Sequence, residues 1–367
     1  MGIARPEVLV IGAGPAGLAA AIEAAEHKAS VMVVDENVRA GGQLIKQTHK
    51  FFGSELHHAG IRGINIATKL VERAVHLHVS IQLHTPVVAI FEGVVVMAKE
   101  EKVLETIRPA RLIIATGAIE NAICFPGWTL PGVMTAGAAQ TFVNIHRVRV
   151  GDRVVVVGSG NVGLIIAYQL RQAGSEIVGI VEAKPQIGGW GVHASKIRRM
   201  GIPIWLSHTV KEVRGDDRVR TVVIHQIDSN FHPIPGTEKE LIADTVCLAV
   251  GMRPQVHLVE MAGGSFVYEP VLGGIVPVHN EIMETTVSGV YVAGDVAGVE
   301  EASTAIVEGQ LAGLAAAYSL GKVSRPAFEE RRNAYLQALE ELRSGPFGDE
   351  RKEAKRRIWN HYDQLKQ

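Results

Sequence analysis

The chain has 367 residues, is 47% hydrophobic and 20% charged, and carries 39 glycines at a formal net charge of -1. That length suits two domains or one large composite, and the balance fits a soluble, turn-rich globular enzyme; the near-neutral charge gives no footprint for nucleic acid or an anionic membrane surface. Only two cysteines occur, Cys124 and Cys247, far apart and in no CxxC spacing, so structural zinc and a four-thiolate iron–sulfur cluster within this chain are excluded and no metal is expected.

The first predicted element is a short apolar strand over 8–11, followed by the turn Gly12-Ala13-Gly14-Pro15-Ala16-Gly17 and a helix. The apolar stretch 8–22 is broken by three glycines and Pro15 and runs straight into Glu23, unlike a spanning helix or a secretory leader. A cytoplasmic address without a membrane span is therefore expected. In such a turn Gly12 permits the tight bend, Gly14 lets backbone approach a pyrophosphate, and Gly17 allows close helix–strand packing. The helix N-terminus then offers unpaired N–H groups and a positive dipole end to phosphates. Asp35, 23 residues after Gly12, ends the next strand, where a carboxylate accepts hydrogen bonds from adenosine ribose hydroxyls.

The arrangement recurs in the second half. An apolar run over 154–157 enters Gly158-Ser159-Gly160-Asn161-Val162-Gly163, and Glu182 follows 24 residues after Gly158. Val33-Val34-Asp35 answers Ile180-Val181-Glu182, Gly41-Gly42 answers Gly188-Gly189, and His84-Thr85 answers His208-Thr209. Each half closes on an apolar run ending in glycine, 112–115 before Thr116-Gly117 and 246–250 before Gly251. One glycine turn is a weak signal; two, each with an acid at the next strand end, predict two dinucleotide sites.

Each repeat reads as βαβ with a small β-meander and a last strand returning to a parallel sheet. Residues 256–297 begin no third repeat. They contain a strand over 290–293 and then Gly294-Asp295, and a helix over about 303–320 follows. The expected fold is α/β, with two Rossmann-like dinucleotide-binding domains, the second inserted into the first. The expected boundaries are 1–128 with 265–325 for the first domain and 129–264 for the second. A C-terminal helical extension over 326–367 completes the chain, its apolar positions Phe328, Tyr335, Leu339 and Leu342 fitting an amphipathic helix that Ser344-Gly345-Pro346 interrupts before another.

With Ala115-Thr116-Gly117 and Val292-Ala293-Gly294-Asp295 added to the two turns, the chain resembles the two-dinucleotide-binding flavoprotein family of pyridine nucleotide–disulfide oxidoreductases, in its thioredoxin-reductase-like branch, over roughly residues 6–320. The resemblance implies FAD at the first turn, with cofactor-binding roles for Gly12, Gly14, Pro15, Ala16, Gly17, Asp35, Glu36, Gly42, Val87, Thr116, Gly117, Gly294 and Asp295. The loop Gly41-Gly42-Gln43-Leu44 is similar to the one beside the isoalloxazine, which places Gln43 and Leu44 there. The second turn corresponds to the family's nicotinamide site, with Gly158, Gly160, Asn161, Gly163, Glu182 and Gly251 for NAD(H). A carboxylate at Glu182 bonds the 2′-OH of NAD and repels the 2′-phosphate of NADP. Nearby Lys184, Lys196, Arg198 and Arg199 leave open either a phosphate contact or a solvated helix face.

The family's disulfide reductases pass electrons from flavin to a cysteine pair, and neither of the places where relatives carry it has a cysteine here. The stretch from Phe125-Pro126-Gly127-Trp128 through Gly137-Ala138 also resembles alpha subunits of multi-subunit amine oxidases and dehydrogenases of the sarcosine oxidase, proline dehydrogenase, opine oxidase and hydrogen cyanide synthase types. That resemblance implies an electron-transfer subunit whose partner is a second redox subunit, bearing flavin or an iron–sulfur cluster. A small amine or amino acid is then the substrate, on one subunit or the other. One alternative is a self-contained NADH dehydrogenase passing electrons to ferredoxin, quinone or oxygen; another is a nucleotide-binding structural role without catalysis. Cys247, in an apolar run over 245–250, reads as a buried inert thiol. His57-His58 and His76 with His78 lack a carboxylate or thiolate to complete a metal set and read as surface or strand-face residues. Trp359, His361 and Tyr362 either pack the tail helix or cover a flavin face.

Overall fold

The computed structural model describes residues 6–51, 54, 57–100, 102–346 and 348–366. The chain divides into two units, one formed by the described residues up to Ile119 together with those from Arg253 onward, the other by Glu120–Met252.

The first unit is built on a parallel five-stranded sheet in the order Val290–Val292, Arg111–Ile114, Val8–Ile11, Val31–Val34, Ser80–Gln82. Its central strands read VLVI and VMVV and are buried along their whole length, the signature of a parallel strand covered on both faces. One cover is the helix Pro15–Glu26, against which the helix Ala302–Ser319 packs in backbone contact. Gly309 and Gly313 make that approach possible, since a Cβ at either would collide with the carbonyl of Ala16 or Ala20. An antiparallel meander of Val87–Phe91, Val94–Lys99 and Val103–Ile107 completes the repeat.

The C-terminal helices Arg325–Leu342 and Asp349–Lys366 belong to this same unit. Phe328 and Leu339 enter the main core, with Tyr335 and Leu342 packed against it. The Phe328 ring stacks on Tyr318 at 4.0 Å between centroids, and the Tyr335 hydroxyl donates to buried Glu23 at 2.6 Å. Ala354 and Ile358 of the last helix pack on Leu272 and Val276.

The second unit repeats the plan. Its parallel sheet runs Ile204–Leu206, Glu176–Glu182, Arg153–Val157, Thr245–Leu248, Val133–Thr135, flanked by the helix Asn161–Gln172. An antiparallel meander of His208–Arg214, Thr221–Gln226 and Lys239–Ile242 accompanies it. Cys247 lies inside the sheet, fully buried, and burial followed by the charge of Glu120 pushes its thiol up to about 12; Cys124 is exposed, and both are free. Among the described residues no group of three or more His, Cys, Asp or Glu could hold a metal. His76 closes the helix Gly63–His76 and His78 lies in the following turn, so the two do not alternate on a strand.

Candidate functional site: two dinucleotide cradles

In the first unit, four segments that are remote in sequence meet around the N-terminus of the helix Pro15–Glu26. Gly12 has φ +104°, donates its N–H to Val34 O at 2.8 Å, and lies where a Cβ would strike the Ala115 carbonyl. Only glycine meets both demands. Gly17 sits so close to Gly12 O that a Cβ would overlap it, and Gly14 caps the helix in extended conformation with Pro15 at the first turn. Gly42, at φ +52°, approaches Gly14 closely enough that its Cβ would lie 2.7 Å from the Gly14 Cα, while Gly41 N–H donates to Ala13 O at 2.7 Å. Gly294, at φ +76°, abuts Ala16. The turn, the Gly41-Gly42 loop, the Ala115-Thr116 segment and the Gly294-Asp295 segment are thus joined at one helix end, where unpaired N–H groups and the dipole favour an anion.

Asp35 is 8% exposed and its carboxylate braces this turn. Oδ2 accepts the Ala13 N–H at 2.6 Å, and Oδ1 accepts both the backbone and side-chain N–H of Asn37 at 2.8 Å. A carboxylate offers about four acceptor positions, so capacity remains for a ligand hydroxyl. The other residues expected here divide. Thr116 Oγ1 donates to Gln255 O at 2.9 Å, and Gly117 takes φ +73° and accepts Gln255 N–H. Leu44 is fully buried with Ala19, Ile66 and Ala67, so its side chain is core. Gln43 and Glu36 are exposed, and Val87 begins the meander, partly buried against the main core.

The second unit builds the equivalent cradle. Gly158 has φ +102° and donates to Val181 O at 2.7 Å; a Cβ on Gly158 would strike Ala249 O, and one on Gly163 would strike Gly158 O. Gly160 caps the helix Asn161–Gln172 with open space where its Cβ would be. Glu182, also 8% exposed, accepts Ser159 N–H at 2.7 Å and Ser159 Oγ–H at 2.6 Å on Oε2, and Lys184 N–H at 2.9 Å on Oε1. The Ser159 hydroxyl accepts Gly188 N–H at 3.1 Å, and Asn161 Oδ1 accepts Trp190 N–H at 2.8 Å, so the loop after the strand is laced onto the turn. Gly251 takes φ +99° and accepts Asn121 N–H at 2.9 Å. Lys196 lies 5.3 Å from the Tyr168 ring centroid, while Arg198 and Arg199 are exposed on the helix Gly191–Arg199.

A buried ionic group next to Gly294-Asp295 escaped sequence reading. Glu308, 1% exposed, accepts Gly294 N–H at 3.0 Å on Oε2 and pairs with Lys355 at 2.8 Å and Arg343 at 2.5 Å on Oε1. Burial pushes its carboxyl up, but the two cations win and hold it below the usual carboxylate range. His279, fully buried nearby, donates Nδ1–H to Pro277 O at 2.9 Å; burial, then Lys355, push its imidazole down to about 3, so it stays neutral beside these cations. The one readable signal was weak: Ala354 and Ile358 at i, i+4 mark a buried helix face, with Lys355 at its edge.

Asp295 is raised to about 7, chiefly by burial and then by Glu308, Glu301 and Glu300, against the Glu300 N–H that donates to its Oδ1 at 3.3 Å. A carboxyl raised on folding stabilises the protein fully below its unfolded pKa of about 3.9 and loses that contribution as pH rises through about 7. The cofactor-free Asp295→Asn protein should therefore match the native melting temperature near pH 4 and exceed it by several degrees at pH 8. A pH-independent difference in thermal unfolding would refute this placement of the charge.

The chain has counterparts among known proteins. Residues 6–309 match the family described as pyridine nucleotide-disulphide oxidoreductase. The chain is 30% identical over 363 residues to an opine oxidase subunit of Agrobacterium tumefaciens, covering 94% of this chain and 72% of that one. It is 28% identical over 351 residues to the hydrogen cyanide synthase subunit HcnB of Pseudomonas protegens, covering 90% and 74%. Its fold is that of thioredoxin reductase from T. acidophilum, at TM-score 0.70 and 24% identity over 86% of this chain and 98% of that one. The chain belongs to the pyridine nucleotide-disulphide oxidoreductase family, oxidoreductases that use FAD and NAD(P)H.

Proposed function

We propose that this family member holds FAD in the first cradle and NAD(H) in the second, and moves a hydride between them without a redox disulfide of its own. In this reading it is the electron-transfer subunit of a complex that oxidises an amine or amino acid. The duplicated cradle carries the proposal. Both glycine turns combine a left-handed first glycine, an open helix N-terminus and a buried carboxylate that accepts the N–H of the turn's second residue. Backbone donors for the phosphates plus a strand-end carboxylate that accepts from the ribose are what an adenosine diphosphate moiety needs.

Bound FAD would supply two-electron chemistry towards a nicotinamide. The chain's own part is to bind and orient: Gly14 and the helix end for pyrophosphate, Asp35 and Glu182 for the two adenosine riboses, and Asp295 on the flavin nucleotide. No side chain is assigned a proton. With Cys247 buried and its thiol at about 12, and Cys124 the remaining cysteine, electrons are expected to leave to a second redox subunit that bears flavin or an iron–sulfur cluster. The relatives' names as subunits support a partner chain, and the opine oxidase and sarcosine oxidase names support an oxidised amine or amino acid. Among the described residues no helix is long and apolar enough to cross a membrane, which fits a cytoplasmic complex.

Anaerobic NADH added to the purified yellow protein should bleach the visible flavin band; an unchanged spectrum would sink the hydride reading. A redox partner should co-purify at fixed stoichiometry. A lone chain that passes electrons from NADH to ferredoxin, quinone or oxygen would instead favour a self-contained dehydrogenase.

A further inference from the structure

The family match ends at residue 309, yet the segment expected to hold FAD is tied to residues well beyond it. Between Gly294 and Glu300 the chain makes a short 3-10 turn that is held at four points. Gly294 N–H goes to Glu308, and Asp295 Oδ1 takes the Glu300 N–H. Ala297 O accepts from Lys355 Nζ at 2.9 Å. The Glu300 carboxylate receives Arg343 in a forked pair, at 2.7 Å from Nη2 and 2.9 Å from Nε. Arg343 and Glu308 also pair with each other, and Lys355 lies 3.6 Å from Glu300. Arg343 is 4% exposed and Lys355 1% exposed, so two cations and two carboxylates balance in a site closed to water. Such a group is rigid while complete, and removing one member leaves a buried charge uncompensated.

We propose that Lys355 and Arg343 are positioning residues for the flavin nucleotide, setting through Glu308 and Glu300 the turn conformation that presents Asp295. This rests on the reading of Gly294-Asp295 as part of the FAD site. The C-terminal helices are then part of the cofactor site's supporting structure, and cofactor affinity depends on their docking at these two side chains.

The test compares Lys355→Met with Arg357→Met. Arg357 lies on the same helix and pairs with buried Glu269 at 2.6 Å, so its loss also weakens the tail, but through a partner other than Glu300 and Glu308. FAD affinity is measured by flavin fluorescence on stripped full-length protein, beside thermal unfolding of the same cofactor-free samples. Lys355→Met should weaken FAD about tenfold or more, and Arg357→Met by less than about threefold at a similar loss of melting temperature. Adding Glu308→Gln to Lys355→Met removes the stranded charge, keeps an acceptor for Gly294, and should restore affinity to within about threefold of native. If Lys355→Met does not fold, Lys355→Gln, which keeps a donor without the charge, must show the same ordering.

Equal weakening by Arg357→Met, native affinity in Lys355→Met, or no rescue by the double variant would each overturn the proposal. A native chain that binds no FAD would overturn the cofactor assignment, and this proposal with it. That result is distinct from a native chain that binds while the variants fail to separate.

Discussion

Asp35→Ala should purify colourless. The substitution removes the acceptor for Ala13 N–H, a fully buried residue of the first glycine turn, and for both N–H groups of Asn37. It also removes the carboxylate proposed to take the ribose hydroxyls. A hydrogen bond to a charged group contributes about 1.5–3 kcal/mol, and a buried donor left unpaired costs about 1–3 kcal/mol. The two losses act together on the bound state, so FAD affinity should fall about a hundredfold or more. Asp35→Asn separates them. The amide oxygen still accepts Ala13 N–H and keeps the turn, while the amide NH2 gives up the two bonds from Asn37, so this variant should melt between the native protein and Asp35→Ala and bind FAD with intermediate affinity. Flavin-to-protein ratio after gel filtration, with a titration of the stripped protein, reads both. Native flavin content in Asp35→Ala would remove Asp35 from the site.

The second large effect concerns Glu182, and the geometry changes which variant is informative. Sequence logic alone favours Glu182→Arg as the way to recruit NADPH, since an arginine meets a 2′-phosphate. In the folded chain Glu182 also accepts the N–H and the hydroxyl of Ser159, which is 0% exposed, and the N–H of Lys184. An arginine accepts nothing, so Glu182→Arg should lose flavin reduction by both nucleotides as the turn slackens. Glu182→Gln keeps an acceptor on the turn and removes the charge. Its ratio of kcat/KM for NADPH over NADH should rise about tenfold with the fold intact, one unit of charge repulsion being relieved at a partly buried site. Stopped-flow reduction with each nucleotide measures this, and an unchanged ratio in Glu182→Gln would mean that Glu182 does not read the 2′ position.

Much of the fold was legible because it is encoded by local rules. A glycine at φ above +100° that touches a neighbouring carbonyl cannot be another residue, so Gly12 and Gly158 announce themselves, and their spacing to Gly17 and Gly163 marks close packing of helix on strand. Wholly apolar runs such as VLVI and the four valines of 154–157 announce parallel strands covered on both faces. The repetition of these patterns in one order predicted an α/β chain with two dinucleotide-binding halves, and the family match bears that out.

Single side chains were less legible. Leu44 belongs to the loop expected beside the isoalloxazine, yet it is core, because a loop residue faces a ligand or the interior according to what packs beneath it. Lys196 stood in a basic cluster, and only the fold lays it over the Tyr168 ring.

The sequence by itself therefore determined the two glycine turns, their strand-end carboxylates and the absence of a cysteine pair at the expected positions, since backbone sterics and residue chemistry act over a few neighbours. Tertiary structure alone decided that Asp35 and Glu182 brace the turns they face, and that Arg343 and Lys355 are buried in a charge network under Gly294-Asp295. In a tail rich in Lys, Arg and Glu every cation looks solvated. Which two are drawn inside depends on partners 35 to 58 residues away in the chain, brought near by the packing of the C-terminal helices. Burial of a charge is set by where its counter-charge lies in space, and no local pattern carries that information.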